Sequence, residues 1–443
     1  MVLSESTTMS YTTKVATGGG TTTTTTTTTT KAKPTARRKE ILSKVRGGLK
    51  PHETYSKINW RSVFFVFGIP IAGFLAAPST PLRWQTFVFS AICYGVAITG
   101  ITAGYHRLWA HRSYEGGALL RVYLALAGAS AAQGSIRWWV RDHRAHHRYS
   151  DTDKDPYSVQ DGLWHAHIGW LLVRKDKNKV GRADVSDLDS DPLVVWQHRH
   201  FLAILIATVV VLPPVVCGLG WGDWRGGFVY GCLVRTFFVH QSTFCVNSLA
   251  HWLGEQPYDD AHTPRDHLVT AIITFGEGYH NFHHEFPSDY RSSPVWYHWD
   301  PTKWLIAGLE FVGLAYGLKT FRRNEIEKRK LQQEQKNMSR RLGQLDWGVP
   351  LECLPIVDWP DFKKQVDDNG KKWIAIGGVI YDVAGFMDTH PGGKSMLNMG
   401  MGRDATQWFE GGVYSHSGNA HNLLCGMRVA VLRGGMQVET LSH

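Results

Sequence analysis

Cysteine is scarce and unpaired in this sequence. Six of 443 residues are cysteine, none in a CxxC pair, and Cys93, Cys217, Cys232 and Cys245 fall inside apolar runs. That excludes a disulfide framework and fits a reducing, cytosol-facing chain. Acid is also in deficit: 38 Asp and Glu stand against 48 Lys and Arg, a net charge of +10. The stretch from Met1 to Lys57 lacks the short apolar core of a secretory leader. It holds an unbroken Thr21–Thr30 tract and too little apolar surface to offset the entropy of ordering it. Residues 1–58 are therefore expected to form a disordered basic tail. Its ten Lys or Arg against three Glu lie just before an apolar run, the pattern of a cytoplasmic membrane flank. A nucleic-acid tail would share that charge, but no nucleic-acid-binding fold follows, so no such partner is expected.

Long apolar runs are what the chain does have. Residues 60–79 and 84–104 are each about long enough to cross a bilayer and are separated only by a turn. A second hairpin is expected from 201–220 and 224–249, although its second member carries Arg235, His240 and Gln241. Polar groups at that depth are costly and face a cavity or site. Four spans put both termini on one side, which the Lys/Arg bias makes cytosolic, together with residues 105–200. The shorter apolar stretches 117–133 and 302–318 are read as interfacial helices. The fold class is thus an all-α membrane domain at 59–320 with a cytosolic helical cap. A charged helical linker follows at 321–346, then a compact α+β domain at 347–443.

Histidine is abundant, at 22 residues. His106 and His111 stand in HRLWAH, His143, His146 and His147 in HRAHH, and His280, His283 and His284 in HNFHH. Positions i, i+3 and i+4 share one helix face, so each HxxHH box presents three imidazoles together. The i, i+5 pair shares no face on a regular helix and is expected at a helix end. Imidazole suits iron, zinc, copper or nickel. Eight rings exceed what one catalytic zinc takes, so two metals are expected.

The stretches GITAGYHRLWAHRSY (100–114), WWVRDHRAHHRYSDTDKDPY (138–157), HIGWLLVRK (167–175), NSLAHWLG (247–254) and GEGYHNFHHEFPSDYR (276–291) resemble the membrane acyl-CoA desaturases of the stearoyl-CoA type, fungal branch. The resemblance covers roughly residues 55–320. It implies a ninth ligand, His251, and a division of the rings between two irons. His106, His111, His143, His147 and His283 would hold one iron. His146, His251, His280 and His284 would hold the other, with Asn247 positioning a metal-bound water. His165 and His167 are left as structural or exposed. The resemblance also implies contacts to a long-chain saturated acyl-CoA through Trp139, Arg141, Asp142, Arg174 and Lys175. Arg and Lys are apt partners for its phosphates. Two family contacts are not kept, an asparagine replaced by Gly134 and a tryptophan by Phe244. A multi-pass location in the endoplasmic reticulum membrane, amid membrane lipid, belongs to the same expectation.

The chemistry explains the cluster. An unactivated methylene has no acidic proton, so its C–H bond yields only to an oxidant made from O₂ at a redox metal. The soluble di-iron design uses two Glu-x-x-His motifs, whereas this chain offers the lone Glu277-Gly-Tyr-His280. Zinc is an acceptable stand-in for iron in recombinant protein, since imidazole takes both. Further on, VIYDVAGFMDTHPGG (379–393) and YSHSGNAHNLL (414–424) resemble the cytochrome b5 family over roughly 350–435. His390 and His416 would be the axial ligands of haem b, with His421 the alternative to His416. The ligand spacing is about two residues longer than usual, placed in the Gly411–Gly412–Val413 loop. A haem with two imidazole ligands has no site for O₂ and carries electrons, here from NADH through a separate cytochrome b5 reductase. The expected product is a cis double bond, at the ninth carbon. A histidine-box fatty acid or sphingolipid hydroxylase is the alternative enzyme. A membrane haem electron carrier with an inactive metal site is the alternative outside catalysis.

Overall fold

In a computed structural model of the protein, the described residues are 57–174, 180–411 and 415–434, together with strands β1 (Tyr11–Ala16) and β2 (Thr22–Thr27). Those two strands pair antiparallel, whereas a disordered tail was expected across them. Threonine is β-branched and favours extended backbone. The rest of the tail up to residue 56 lies outside the described residues.

The chain folds as two compact units, Met1–Ile326 and Glu327–His443. In the first unit, α1 (Trp60–Ser79), α2 (Trp84–Ala110) and the later α5 (Pro192–Trp221) are long and apolar enough to cross a membrane. Large side chains on them, among them Phe64, Leu75, Trp84, Phe87, Leu202 and Leu219, are exposed. In water that would oppose folding, and against lipid tails it does not. The protein is a membrane protein. The fourth expected span is a continuous helix, α6 (residues 224–248), whose Arg235, Thr236 and His240 are buried. Arg235 donates to the carbonyls of Gly231 and Ser130, and His240 Nε2 donates to Ala131 O. Its polar side chains are therefore satisfied inside the protein.

Between the two hairpins lie α3 (Ala118–Ala129) and α4 (Ile136–Tyr149). At 12 residues, α3 is about 18 Å long, too short for a hydrocarbon core of about 30 Å. It packs tightly on α2, because a Cβ at Gly100 would collide with Gly128 and one at Gly128 with the Tyr105 ring. Helix α4 starts where Ser135 caps the Trp138 amide and ends before Asp151, which takes a positive φ of 63°. Among the shorter helices of this unit are α7 (His280–Glu285) and α8 (Pro301–Phe311). The core around α2 is built from Ile98, Tyr105, Trp109, Leu124, Ile136 and Val140.

The charged stretch expected as a linker contains the helix Arg323–Leu342. In the second unit a four-stranded sheet runs β3 (Ile356–Val357), β6 (Arg428–Leu432), β5 (Val379–Asp382), β4 (Trp373–Ile376) in spatial order. Only the β3–β6 pair is parallel. Short helices at Lys394–Gly400 and Gly418–Cys425 follow His390 and His416. Leu397, Met401, Phe409 and Leu424 pack with the sheet residues Ile374 and Tyr381 in one apolar cluster.

Candidate metal and haem centres

The first histidine box sits on a widened helix. Residues Gly100–Ala110 wind with i→i+5 hydrogen bonds, ending in His111 N to His106 O at 3.0 Å. That winding puts i and i+5 on one face, and the two rings lie 4.7 Å apart. The pair lies at a helix end, as expected, and that end is π-helical, a device found at functional sites. Arg112, at φ 51°, turns the chain out of the helix.

The third box owes its shape to the residues between its histidines. Asn281 accepts from the Tyr258 amide at 2.8 Å and donates to Asp259 O and Pro264 O, closing the 258–266 loop onto the helix. Phe282 is fully buried and packs with Tyr258, Phe286 and Ile326. The carboxylate of Asp266 caps the helix start, accepting from the amides of Asn281 and Phe282. With Asn281 and Phe282 so anchored, His280, His283 and His284 face the second box.

Nine imidazoles meet in two groups. His106, His111, His143, His147 and His283 form one, and His146, His251, His280 and His284 the other, the ligand atoms of each within 4.8 Å of one another. Four Nε2–Nε2 separations are short: His106–His283 3.1 Å, His111–His143 2.8 Å, His147–His283 3.0 Å and His280–His284 3.1 Å. At a metal–nitrogen distance of about 2.1 Å, nitrogens at a right angle lie about 3.0 Å apart, and at a tetrahedral angle about 3.4 Å. The observed separations fit right angles, which suits a higher-coordinate metal better than structural zinc.

The protons sit on the far side of the rings. His106 Nδ1 lies 3.3 Å from Glu277 Oε2, His146 Nδ1 donates to Asp155 Oδ1 at 2.9 Å, and His251 Nδ1 donates to Thr263 Oγ1 at 2.8 Å. This fixes the tautomer and leaves each Nε2 lone pair for a cation. His146 Nε2 and His251 Nε2 are buried with no hydrogen-bond partner among the described residues, a cost that a bound ion removes. Burial first, and neighbouring imidazoles second, push His143, His147, His280, His283 and His284 well below the usual histidine pKa. Those five rings are therefore neutral, as ligation requires.

Behind His106 lies a buried ion network. Arg107 donates to Glu277 at 2.9 Å and to both oxygens of Asp300 at 2.9 and 3.1 Å. Its Nη1 also reaches Tyr290 O at 2.8 Å, and Ser292 Oγ bridges Arg107 and Glu277. Burial alone would raise the Glu277 pKa, but Arg107 and then His106 hold it down at about 2.

A cavity of about 350 Å³ abuts the metal groups, lined by His106, His143, His146 and His280 on one side and by apolar residues such as Ile98, Ile101, Phe201 and Leu205 on the other. Of the residues expected to touch substrate, Trp139 and Asp142 line it, and so does Asn247. Trp139 stacks on His143 at 4.9 Å. Arg141 is paired with Asp142 and half exposed. Arg174 is exposed and does not line this cavity, and Lys175 lies outside the described residues. Gly134 and Phe244, the two departures from the family pattern, both line it, as does Arg61, which the sequence reading did not single out. Missed as well were Asp155, Thr263, Glu277, Arg107 and Asp300. His167 hydrogen-bonds Ser248 and Gln241 and so has a structural role.

The sequence profile described as "Fatty acid desaturase" matches residues 82–331. The chain belongs to the fatty acid desaturase family. The profile "Cytochrome b5-like Heme/Steroid binding domain" matches residues 358–433. Among relatives, "Probable acyl-CoA desaturase" of Schizosaccharomyces pombe is 50% identical over 382 residues, 86% of this chain and 79% of the relative. "Acyl-CoA desaturase 1" of Saccharomyces cerevisiae is 45% identical over 381 residues, covering 86% and 74%. "Delta(9)-fatty-acid desaturase fat-6" of Caenorhabditis elegans is 38% identical over 270 residues, covering 60% and 80%. Members of this family are di-iron oxidoreductases, and the two histidine groups have the donor set and spacing for such a pair. In this desaturase the b5-like domain fits haem equally well. His390 Nδ1 donates to Gly393 O at 3.2 Å and His416 Nδ1 to Phe409 O at 3.0 Å, so Nε2 carries the lone pair on each ring. A Cβ at Gly392 would press on the His390 ring, which explains the glycine there. Phe409 stacks on His416 at 4.3 Å and meets the His421 ring edge-on at 4.8 Å. Residues 412–414, where the extra loop length was expected, lie outside the described residues.

Proposed function

We propose that this protein is an O₂-dependent acyl-CoA desaturase that places a cis double bond, at the ninth carbon, in long-chain saturated acyl-CoA. The observation that carries the reading is the pair of histidine groups, five and four, abutting an apolar cavity. His106, His111, His143, His147 and His283 hold one iron, and His146, His251, His280 and His284 the other. When bound, the iron pair supplies the O₂-derived oxidant needed to break an unactivated C–H bond. The chain's own residues bind and orient. Ile98, Ile101, Phe201 and Leu205 exclude water around the acyl chain, and Trp139 holds the His143 ring in place by stacking. Asn247 orients a water at the four-histidine group. Arg141, Asp142, Arg174 and Lys175, with Arg61, engage the polar head and phosphates of coenzyme A.

His390 and His416 would hold haem b, His421 being the alternative second ligand, and the bound haem would supply one-electron transfer from NADH by way of cytochrome b5 reductase. A tethered donor raises the local donor concentration. The protein resides in the endoplasmic reticulum membrane. Four helices span it, α1, α2, α5 and α6, with both termini and the histidine-bearing cap in the cytosol. Support comes from the basic flank before α1, from the membrane-length hairpins and from the fungal relatives.

The test is reconstitution with stearoyl-CoA, NADH and reductase. Gas chromatography of the products should show an alkene at carbon nine, with oxygen released as water. An alcohol product would mean a hydroxylase instead. A preparation with one haem iron and no further metal would mean an electron carrier.

A further inference from the structure

The SDTDKD run after the second box contacts two of the four histidines of one group directly, His146 and His284, and reaches a third, His251, through Thr263. We propose that residues 150–155 form a positioning collar for the four-histidine iron site, an inference that rests on the di-iron reading. The side chain of Asp155 is fully buried. Its Oδ1 accepts from His146 Nδ1 at 2.9 Å and from the Tyr157 amide at 3.1 Å, and its Oδ2 accepts from the Asp151 amide at 3.0 Å. Asp151, pinned in this way, accepts from the Thr263 amide at 2.7 Å and from its hydroxyl at 2.6 Å. The Thr263 oxygen then accepts the Nδ1 proton of His251 at 2.8 Å. Ser150 donates to His146 O at 2.9 Å, and its oxygen accepts from His284 Nδ1 at 3.4 Å. One loop, with Thr263 as its relay to His251, therefore sets the proton and ring plane of His146, His251 and His284, which come from three separate chain segments. The fourth ring, His280, has a buried Nδ1 with no partner among the described residues.

The five-histidine group is held by other means. His106 leans on the Glu277–Arg107–Asp300 network, and the nearest link from beyond the collar is Tyr157 OH to His143 Nδ1 at 3.5 Å. The two sites are thus oriented by separate carboxylates on separate segments. Disturbing the collar should empty one site and spare the other. Asp151, Asp155 and Thr263 touch neither substrate nor metal and are positioning residues. Partners of this kind typically contribute about 10–100-fold in metal affinity.

The experiment is an anaerobic titration of metal-depleted, haem-containing full-length protein in detergent with ferrous iron, reading bound non-haem iron per haem. Wild type should bind two equivalents. Thr263→Val and Asp155→Asn should bind the first unchanged and the second about 10–100-fold more weakly. Thr263→Ser, which keeps the oxygen, should behave as wild type, and Glu277→Gln should spare the site that Thr263→Val weakens. Two unchanged equivalents in both Thr263→Val and Asp155→Asn would overturn the collar. So would equal weakening of both equivalents in every variant, Thr263→Ser included, since that marks general damage to the fold. Wild type without any non-haem iron would overturn the di-iron reading itself, and the collar with it.

Discussion

Arg107→Met should destabilise the desaturase unit strongly, and by a calculable amount. Arg107 is the cation between two buried carboxylates, with side-chain exposures of 5% for Glu277 and 0% for Asp300. Removing one partner of such a cluster typically costs about 3–5 kcal/mol, because the remaining charges stay buried and unpaired. The Glu277 carboxyl points the same way: Arg107 and then His106 hold it at about 2 against an ordinary 4.5, roughly 3 kcal/mol shared between the two partners. For a domain of this size that lowers Tm by roughly 6–20 °C. The sign with pH follows from the depressed carboxyl. Its contribution is present above pH 4.5 and lost as pH falls toward 2, so the gap between wild type and variant should narrow over that window. The assay is thermal unfolding in detergent followed by intrinsic fluorescence, with the Soret band reporting separately on the haem domain. The triple variant Arg107→Met/Glu277→Gln/Asp300→Asn should recover part of the loss, since neutral groups are cheaper to bury than unpaired ions. An unchanged Tm in Arg107→Met at pH 7 would refute the reasoning.

Four further outcomes are expected. His283→Ala should abolish unsaturated product by gas chromatography while leaving the haem spectrum intact, and His390→Ala should lose the Soret band and depend on added cytochrome b5. Gly128→Ala should cost about 1–3 kcal/mol by overpacking, because its methyl collides with the Tyr105 ring beside His106; a fall in both Tm and non-haem iron would register it. Phe244→Trp enlarges a wall residue of the 350 Å³ cavity and should favour palmitoyl-CoA over stearoyl-CoA in a competition assay, without changing iron content.

Much of the site is legible in the sequence because helix periodicity is a local property. HxxHH places three rings on one face without reference to the rest of the fold, and α4 and α7 present their histidines accordingly. His251 has no neighbouring histidine to mark it, and only the family resemblance brought it in. The polar partners were harder. Glu277 lies 170 positions from Arg107 and Thr263 lies 112 from Asp151, and nothing in a local window says that such pairs meet. Asp155 was nearer to legible, as a carboxylate nine positions after His146 in a loop that must turn back toward the box. In the membrane part, the three apolar runs read directly, whereas α6 mixes Arg235 and His240 into its length, and their carbonyl partners lie on segments distant in sequence.

The unusual winding of residues 100–110 has a practical consequence for engineering. Anyone grafting this histidine pair onto an ideal straight scaffold would copy the letters and lose a ligand, since five residues at about 100° each would swing His111 about 140° away from His106. The same holds for a single-residue insertion or deletion between them. What has to be transplanted is the pitch of the backbone, together with the glycines that let a neighbouring helix lie close enough to hold it.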